Sequence, residues 1–356
     1  MQQQSKNIIH IIDSLGSGGA EILLMNTIAL LPEYAHVVIY LHEPDELKNT
    51  ALPNVKYINL HHSGLSDLLK TVGKIRKEIA LHDPFVVHSH LIASCMMARM
   101  AVPKSIPLVT TLHSELGRDA FAKNRLSLLV EKLTLKKRHT LVAVSKYVLK
   151  DYLNHVSFRG KSFVLYNFLP DLFFSNPARS FTTGTLRCVA VGNLKEAKNY
   201  PYLLEIFKHL KKENIHLDIY GDGHLESILQ EKINRDQLPV TLKGQNNDPK
   251  AFLENYDLFI QASQHEGFGL SVIEAMAAKL PLFLSAIPVF REITDCKAHF
   301  FPLNNAAAAS EMLKGLRDIK ETREKFIEPA YQYCSAQYNG ATYKQNLLDI
   351  YKQVRP

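Results

Sequence analysis

The 356-residue sequence contains no tryptophan, only four cysteines and no long apolar run. The cysteines are isolated from one another, so the sequence predicts neither a disulfide framework nor a thiolate metal site; they are Cys95, Cys188, Cys296 and Cys334. Apolar runs, including residues 8–12, stay well below the roughly 20 residues of a transmembrane helix and are too short for a signal peptide. These absences favour a cytoplasmic protein.

The sequence also lacks an excess of acidic residues, because its net charge is +7. Residues 1–168 hold 20 lysines and arginines against 13 acidic residues, whereas the rest of the chain holds 22 of each class. Much of the surplus lies between Arg118 and Lys161, where 11 basic residues face three acidic ones. Such a segment attracts nucleic acid, anionic lipid or phosphorylated substrates. Because no aromatic platform or nucleic-acid motif accompanies the charge, we expect no nucleic-acid partner.

Residues 121–137 lie within this basic segment and predict a helix. Its apolar stripe would consist of Leu126, Leu129, Val130 and Leu133, while its lysines and arginines lie largely elsewhere. This pattern is typical of a helix at a membrane interface, and it is equally typical of an ordinary surface helix. The sequence therefore leaves open a peripheral contact with an anionic membrane surface at the inner face of the cytoplasmic membrane.

Short apolar runs alternate with helical patterns along the whole chain. Near-continuous apolar strands separated by helices predict parallel sheets that are covered on both faces. In the first half, we expect strands at residues 8–12, 36–41, 55–60, 85–88, 108–112, 141–144 and 162–165, with helices at 20–31, 65–81, 92–100 and 121–137. In the second half, we expect strands at residues 186–191, 216–220, 240–242, 257–262 and 282–285, with a helix after each.

Length and alternation together predict an α/β protein with two Rossmann-like, doubly wound parallel-sheet domains. The first domain would span residues 1–168 and the second residues 185–338, joined by a linker at 169–184 that loses periodicity and contains two prolines. Residues 339–356 would form a terminal helix. Doubly wound domains bind ligands outside the carboxyl ends of their strands, which predicts a site in a cleft between the two domains.

The most informative motif is residues 266–274, which begin with Glu266 and end with Glu274. An apolar strand precedes the motif and a helix-favouring run follows, so Glu266 would lie at a strand end and Glu274 about one turn into a helix. Backbone N–H groups at such a helix start favour anions; they belong to Gly267, Phe268, Gly269 and Leu270. Paired acids beside an anion site suggest a ligand with both hydroxyls and phosphates, such as a sugar nucleotide.

A glycine-rich loop follows the first predicted strand. Gly16, Gly18 and Gly19 allow the backbone to turn tightly and to approach a phosphate or a sugar, with a helix N-terminus behind them. A dinucleotide fingerprint would need a third glycine where Glu21 stands, but Glu43 could act as its ribose-binding acid. An NAD-dependent oxidoreductase or epimerase therefore remains an alternative. No Lys-Ser or Lys-Thr pair follows the glycines, which excludes a Walker loop.

Together, the two glutamates spaced by seven residues and the Gly-Gly-Ala-Glu loop resemble the retaining glycosyltransferases of family 4, also called group 1. The resemblance covers essentially the whole chain and implies the GT-B fold, in which two Rossmann-like domains face a cleft and a C-terminal helix returns to the first domain. It implies transfer of a hexose-type sugar from a UDP-, GDP- or ADP-linked donor to a glycan or lipid-linked acceptor in surface polysaccharide assembly. A catalytically weak partner that only binds sugar nucleotides is a further alternative.

The same resemblance assigns roles to residues on the donor side. Glu266 and the amides after it would orient the donor sugar, Glu274 would hold the ribose hydroxyls, and Lys198 would bind the diphosphate. Asn193 stands where the family usually has an arginine, so one bidentate phosphate contact is lost. The strand-end glycines Gly221 and Gly244 would border the nucleobase.

Histidines complete the predicted site. His113 resembles the first-domain residue that contacts the donor sugar across the cleft, and the resemblance makes it catalytic together with Glu266 and Lys198. His88 and His90 would share one face of a strand, yet the sequence shows no third ligand, so we expect no metal there. No Asp-x-Asp pair stands in a suitable strand context, and we expect neither a metal nor another cofactor. The family's retention by front-face attack would let the leaving phosphate accept the acceptor proton.

Overall fold

The computed structural model describes residues 7–16, 18–49, 52, 55–118, 125–174, 184–246, 248–318, 321 and 324–354. Its internal contacts divide the chain into two compact units. The first unit comprises Met1–Asn167 together with Gly340–Pro356, and the second comprises Phe168–Asn339. Within the described part of the chain, every helix falls short of the length and apolar content that crossing a bilayer requires.

A seven-stranded sheet forms the centre of the first unit, and all of its described pairings are parallel. Its strands are β1 Asn7–Ile12, β2 Ala35–Tyr40, β3 Val55–Asn59, β4 Val86–His90, β5 Leu108–Leu112, β6 Thr140–Ala143 and β7 Lys161–Val164. The order β3-β2-β1-β4-β5-β6-β7 makes β1 and β4 neighbours at the point where the winding reverses. Loops that follow these two strands therefore meet at one edge, where doubly wound sheets bind ligands.

Helices cover this sheet and bury apolar side chains against its strands. They are α1 Gly19–Leu30, α2 Leu68–His82, α3 Ile92–Ala101, α4 Arg125–Thr134, α5 Lys146–His155 and the C-terminal helix Gly340–Val354. Ser145 caps α5 by accepting a hydrogen bond from the Val148 amide at 3.1 Å. The C-terminal helix belongs to this unit, and Thr27 of α1 donates a hydrogen bond to its Tyr343 hydroxyl at 3.1 Å.

The second unit repeats the plan with six strands in the order β10-β9-β8-β11-β12-β13. Its strands are β8 Leu186–Val191, β9 Ile215–Tyr220, β10 Val240–Gly244, β11 Leu258–Gln261, β12 Leu282–Ser285 and β13 His299–Phe301. Its helices are α6 Tyr200–Lys208, α7 Glu226–Asp236, α8 Pro249–Leu253, α9 Leu270–Ala277, α10 Pro288–Ile293, α11 Ala306–Asp318 and α12 Ile327–Gln337. The winding reverses between β8 and β11, which places the loops after these two strands at one edge.

The prediction of two parallel sheets covered by helices is confirmed, whereas some element boundaries differ from the predictions. Strand β13 was not predicted because its three residues are too few to show a period. The helix predicted at 121–137 ends at Thr134, and residues 121–124 lie outside the described residues. In the predicted linker, the Leu169 amide donates to the Tyr338 carbonyl at 2.8 Å, and residues 175–183 lie outside the described residues.

The buried face of α4 also differs from the predicted stripe. Glu131 and Leu135 are buried, whereas 50% of Leu129 and 60% of Leu133 are exposed. The reason is tertiary, because Glu131 forms an ion pair with the buried Arg99 of α3, which turns that side of the helix inward. Leu129 and Leu133 therefore form an exposed apolar pair one turn apart.

Candidate functional site

The loops after β8 and β11, residues 192–199 and 262–269, form the switch-point edge of the second unit. The Gln264 amide donates to the Ala197 carbonyl at 2.9 Å, which ties the two loops together. A Cβ built on Gly221 would lie 2.1 Å from the Gly192 carbonyl oxygen, so the loop after β9 approaches this edge backbone to backbone. Gly221 also has a φ of +140°, a conformation that side chains disfavour. Glycine is therefore required there by both space and conformation.

Lys198 and Glu266 meet at this edge. The Lys198 Nζ lies 2.7 Å from Glu266 Oε1, and both side chains keep part of their surface exposed, at 19% and 13%. The Ser263 hydroxyl donates to the same carboxylate oxygen at 2.7 Å, and Gln261 Nε2 donates to that hydroxyl at 3.0 Å. The sequence indicated both charged residues separately but did not predict that they bind each other.

Glu274 lies in the second turn of α9 and is half-buried. Burial raises the pKa of its carboxyl to about 7, and the nearby positive charge of Lys198 opposes this rise. The carboxyl is therefore partly protonated at neutral pH. Either form can bind hydroxyl groups, because a carboxylate accepts hydrogen bonds and a carboxylic acid both accepts and donates.

The residues that lead into α9 differ in how far they are exposed to a ligand. Gly269 is the N-cap of α9 at a φ of +99°, so the chain turns sharply into the helix, and Gly267 and Leu270 on either side of the turn are half-buried. The Phe268 ring is 3% exposed and packs edge-on against Tyr338, with ring centroids 5.4 Å apart. The Phe268 side chain is therefore part of the interior.

Other predicted positions lie on the neighbouring strand ends. Asn193 is exposed just after β8. Gly244 ends β10 at a φ of +70°, and a Cβ added there would meet no atom within 4 Å among the described residues. The Gly221 amide donates to the Gly244 carbonyl at 2.9 Å, so these two strand ends lie together. The second unit thus brings its predicted residues to one edge of the sheet.

In the first unit, the glycine loop precedes α1. Gly16 is buried, Gly18 is the N-cap of α1 and Gly19 is exposed. A Cβ built on Gly18 would lie 2.5 Å from Glu21 Oε2, so the Glu21 carboxylate turns back toward the helix N-terminus. A negative charge at that position competes with an anionic ligand for the helix dipole. This loop therefore favours a hydroxyl-bearing ligand over a phosphate.

A cavity of about 380 Å³ lies within the first unit, and Asp13, just after β1, is part of its lining. Apolar side chains of α3 and of the segment after β5 supply most of its walls, and His113 and Asp13 contribute polar groups. Asp13 Oδ1 accepts hydrogen bonds from the Ser94 amide at 2.8 Å and the Ser94 hydroxyl at 2.5 Å. Burial lowers the pKa of His113 to about 4, so this imidazole is neutral at physiological pH.

A buried polar cluster closes one side of the cavity. Arg99 Nη1 lies 2.6 Å from Glu131 Oε2, and the Tyr152 hydroxyl donates to the other carboxylate oxygen. The Arg99 and Glu131 side chains are 1% and 5% exposed. Sequence reasoning missed this cluster and Asp13, because its members lie on three separate helices and no spacing relates them.

The chain matches known proteins along most of its length. A model of the group 1 glycosyl transferases matches residues 177–333, and a model of glycosyltransferase family 4 matches residues 17–171. The uncharacterised glycosyltransferase MJ1178 of Methanocaldococcus jannaschii is 25% identical over 294 residues, which cover 78% of this chain and 77% of that protein. The serotype-specific mannosyltransferase WbdA of Escherichia coli is 30% identical over 174 residues, which cover 47% of this chain and 20% of that protein.

Solved structures share the fold at lower identity. HepE of Anabaena, crystallised with UDP and glucose, superimposes with a TM-score of 0.82 at 16% identity. The superposition covers 98% of this chain and 99% of HepE. At this identity, the likeness shows that both chains have the same architecture.

Proposed function

Because this chain belongs to the group 1, family 4 glycosyltransferases and has their GT-B fold, we propose that it transfers a hexose-type sugar from a UDP-sugar to a hydroxyl group of a glycan or lipid-linked acceptor, with retention of configuration. The observation that carries the proposal is the group of Lys198, Glu266 and Glu274 at the switch-point edge of the second unit. The choice of UDP is supported by HepE, whose structures contain UDP and UDP-glucose.

The charges at this edge suit a sugar nucleotide better than a simple anion. Lys198 has three N–H donors, so it can hold Glu266 and still bind a diphosphate oxygen. Glu274 would accept hydrogen bonds from the ribose hydroxyls, and Glu266 would accept them from the donor sugar. Asn193 leaves the diphosphate without an arginine, so Lys198 and the backbone N–H groups before α9 would carry most of its stabilisation.

The proposed reaction needs no protein nucleophile. The bond between the anomeric carbon and the diphosphate oxygen breaks, and the acceptor oxygen bonds to the same face of that carbon. The acceptor proton passes to the departing phosphate oxygen, so atoms and charge balance. Lys198 would stabilise the negative charge that develops on the diphosphate. We therefore propose a transferase that works without Mg²⁺ or Mn²⁺ at the donor.

For the acceptor, we propose the cavity of the first unit. Its apolar walls suit the apolar face of a sugar ring, and Asp13 and His113 could bind hydroxyl groups at its rim. At the glycine loop, the Glu21 carboxylate at the start of α1 favours a hydroxyl-bearing group over a phosphate. A glycan or the sugar end of a lipid-linked intermediate fits this lining, and we propose that the product is part of a surface polysaccharide.

Nucleotide binding is the first test. We expect UDP to raise the melting temperature more than GDP, ADP or NAD, since ligand binding to the native state stabilises it by mass action. Glu274→Ala should weaken UDP binding by roughly 10- to 100-fold, because a hydrogen bond to a charged group contributes about 1.5–3 kcal/mol. The exposed Glu254→Ala variant, also in the second unit, should bind UDP normally. Stabilisation by NAD alone would support the oxidoreductase alternative and contradict the proposal.

Metal dependence gives an independent test. Transfer from the UDP-sugar should continue in EDTA at the same rate, because Lys198 and backbone amides would stabilise the diphosphate without a metal. Activity that returns only when Mg²⁺ or Mn²⁺ is added back would contradict the metal-free mechanism.

We also propose that α4 contacts an anionic membrane surface. The exposed Leu129 and Leu133 lie beside the exposed Lys132, Lys136 and Lys137, an arrangement in which apolar groups can enter a bilayer while lysines bind its headgroups. Lys136, Lys137 and Arg138 follow the end of α4 at Thr134 and extend its basic face. Each basic residue near such a surface contributes about 1 kcal/mol.

Co-sedimentation with anionic and neutral vesicles tests this contact. We expect binding to anionic vesicles that weakens as salt rises, and loss of that binding when Lys132, Lys136, Lys137 and Arg138 are changed together to Gln. A matched variant with Lys208, Lys211, Lys212 and Lys325 changed to Gln removes equal charge from exposed positions in the second unit and should still bind. Absence of binding at low salt, or equal loss in both variants, would contradict the contact.

A further inference from the structure

Three buried histidines lie on one face of the first sheet. His10 of β1 is in register with His88 of β4, and His90 lies two residues further along β4. Residues in register on parallel strands, and alternate residues on one strand, point to the same face. The three side chains are 0%, 1% and 5% exposed in that order. The sequence indicated His88 and His90, and only the strand order reveals the third histidine.

The rings are close enough to bind one ion together. The His88 and His90 centroids lie 4.3 Å apart, and the His10 centroid lies 6.1 Å from His88 and 6.0 Å from His90. One nitrogen from each ring can be chosen so that all three lie within 4.8 Å of one another. Burial and the neighbouring imidazoles hold the pKa of each ring well below its ordinary value, so all three are neutral. Neutral imidazole is the form that binds metals.

Hydrogen bonds fix the tautomer of His10. His36 Nε2 lies 3.0 Å from the Leu31 carbonyl, which can only accept, so the proton of the neutral His36 ring is on Nε2. His36 Nδ1 must then accept, and His10 Nε2 donates to it at 3.1 Å. The His10 proton is therefore on Nε2, which leaves a bare lone pair on its buried Nδ1. Among the described residues, this Nδ1 has no hydrogen-bond partner.

The other two rings have matching partners. His90 Nδ1 lies 3.2 Å from His113 Nε2, while the buried His90 Nε2 has no hydrogen-bond partner among the described residues. His88 contacts the Tyr351 hydroxyl through Nδ1 at 2.7 Å and the Thr111 hydroxyl through Nε2 at 2.6 Å. Metal ligation by His88 would replace one of these hydroxyl contacts and keep the other. Each ring would thus use one nitrogen for a metal and the other for an orienting hydrogen bond, as metal-binding histidines usually do.

We propose that His10, His88 and His90 bind a divalent transition-metal ion, with Zn²⁺ as the expected ion. Imidazole nitrogens suit Zn²⁺, Cu²⁺ and Ni²⁺, whereas Mg²⁺ and Ca²⁺ prefer oxygen ligands. Three histidines leave the fourth tetrahedral position of Zn²⁺ for a water. Zn–N bonds of about 2.1 Å would require the three nitrogens to move closer together. The ion would join β1 to β4 inside the sheet and stabilise the first unit.

The test uses the full-length chain without a histidine tag. Protein stripped with a chelator is incubated with excess Zn²⁺, passed through a desalting column and analysed for metal. We expect one Zn²⁺ per chain and a higher melting temperature than for the stripped protein. His10→Gln should retain no Zn²⁺, and the exposed His209→Gln should retain it as the native protein does. Native protein without retained Zn²⁺, or equal retention by His10→Gln, would overturn the proposal in favour of a buried water.

Two further measurements keep the proposal testable if His10→Gln does not fold. His36→Gln leaves all three ligands in place but removes the group that orients His10, so it should lower Zn²⁺ affinity by roughly 10- to 100-fold. Cu²⁺ added to the stripped native protein should give an electron paramagnetic resonance spectrum with coupling to three imidazole nitrogens. Unchanged Zn²⁺ affinity in His36→Gln, or a Cu²⁺ spectrum typical of surface sites, would contradict the site. Mg²⁺ should neither bind nor stabilise, which separates this ion from any catalytic metal requirement.

Discussion

Each unit contains an ion pair beside its candidate site, and the two pairs differ in their exposure to water. Arg99 and Glu131 in the first unit are 1% and 5% exposed, and Lys198 and Glu266 in the second are 19% and 13% exposed. A pair sealed from water cannot exchange its partner for a ligand, and it stabilises the fold only while both members are present. A pair at an accessible edge can share its charges with a substrate. The comparison therefore indicates a structural role for the first pair, and it supports the ligand-binding role that we propose for the second.

The largest expected effect on stability comes from Glu131→Gln. This change keeps the shape of the side chain but leaves Arg99 as a buried, unpaired charge, so the free energy of unfolding should fall by about 3–5 kcal/mol. Urea denaturation measures the loss. The double variant Arg99→Met, Glu131→Leu removes both charges and should recover much of it. A loss below about 1 kcal/mol, the range of exposed pairs, would show that water reaches this pair after all.

The reverse pattern is expected for Glu266→Gln. Transfer should fall by roughly 100-fold, because Lys198 loses the partner that aims it and the donor sugar loses an acceptor. The free energy of unfolding should change by less than about 1 kcal/mol, since both side chains are partly solvated. Steady-state kinetics and urea denaturation on the same preparation decide between the two roles, with Glu254→Gln as the control. A large loss of stability with normal transfer would instead indicate a structural role for the Lys198–Glu266 pair.

The smallest effect concerns the pH dependence of stability. The pKa of Glu274 is about 7 in the folded protein, against an ordinary value of 4.5. Between these values, the folded state binds more protons than the unfolded state, so this group lowers the free energy of unfolding as pH rises from about 4.5 to about 7, by at most about 3 kcal/mol. Glu274→Gln should flatten the stability profile in that window. Parallel profiles for the two proteins would show that the Glu274 carboxyl is solvated.

The comparison between units also separates what could be predicted from sequence. Glu266, Gly269 and Glu274 belong to one continuous motif, whose spacing indicated this edge. Lys198 follows a strand that the pattern predicts, but the family resemblance was needed to single it out. The Lys198–Glu266 contact joins residues that are 68 positions apart, and it exists because β8 and β11 are neighbours in the sheet. The spacing of residues along the chain does not indicate that β8 and β11 are adjacent in the sheet.

The first unit was less predictable because its site is assembled from separate elements. The sequence of α4 indicated a stripe through Leu129 and Leu133, yet both are exposed because Arg99 binds Glu131 and turns another face inward. His10 stands in an apolar strand pattern and gave no signal of its own, and β1 pairing with β4 brings it to His88. In both cases, the outcome depends on contacts between elements that are distant along the chain.

The sequence by itself determined the two parallel sheets, the order of helices and strands, and the strand-loop-helix motif after β11. These features depend on the spacing of apolar residues and glycines within a few positions of one another. Only the tertiary structure decided which charges pair, which face of α4 is exposed and which histidines form a cluster. Those outcomes depend on strand order and register, which bring together side chains that are far apart along the chain. They follow from packing the whole sheet, where burying a charge or an imidazole is favourable only beside its partner.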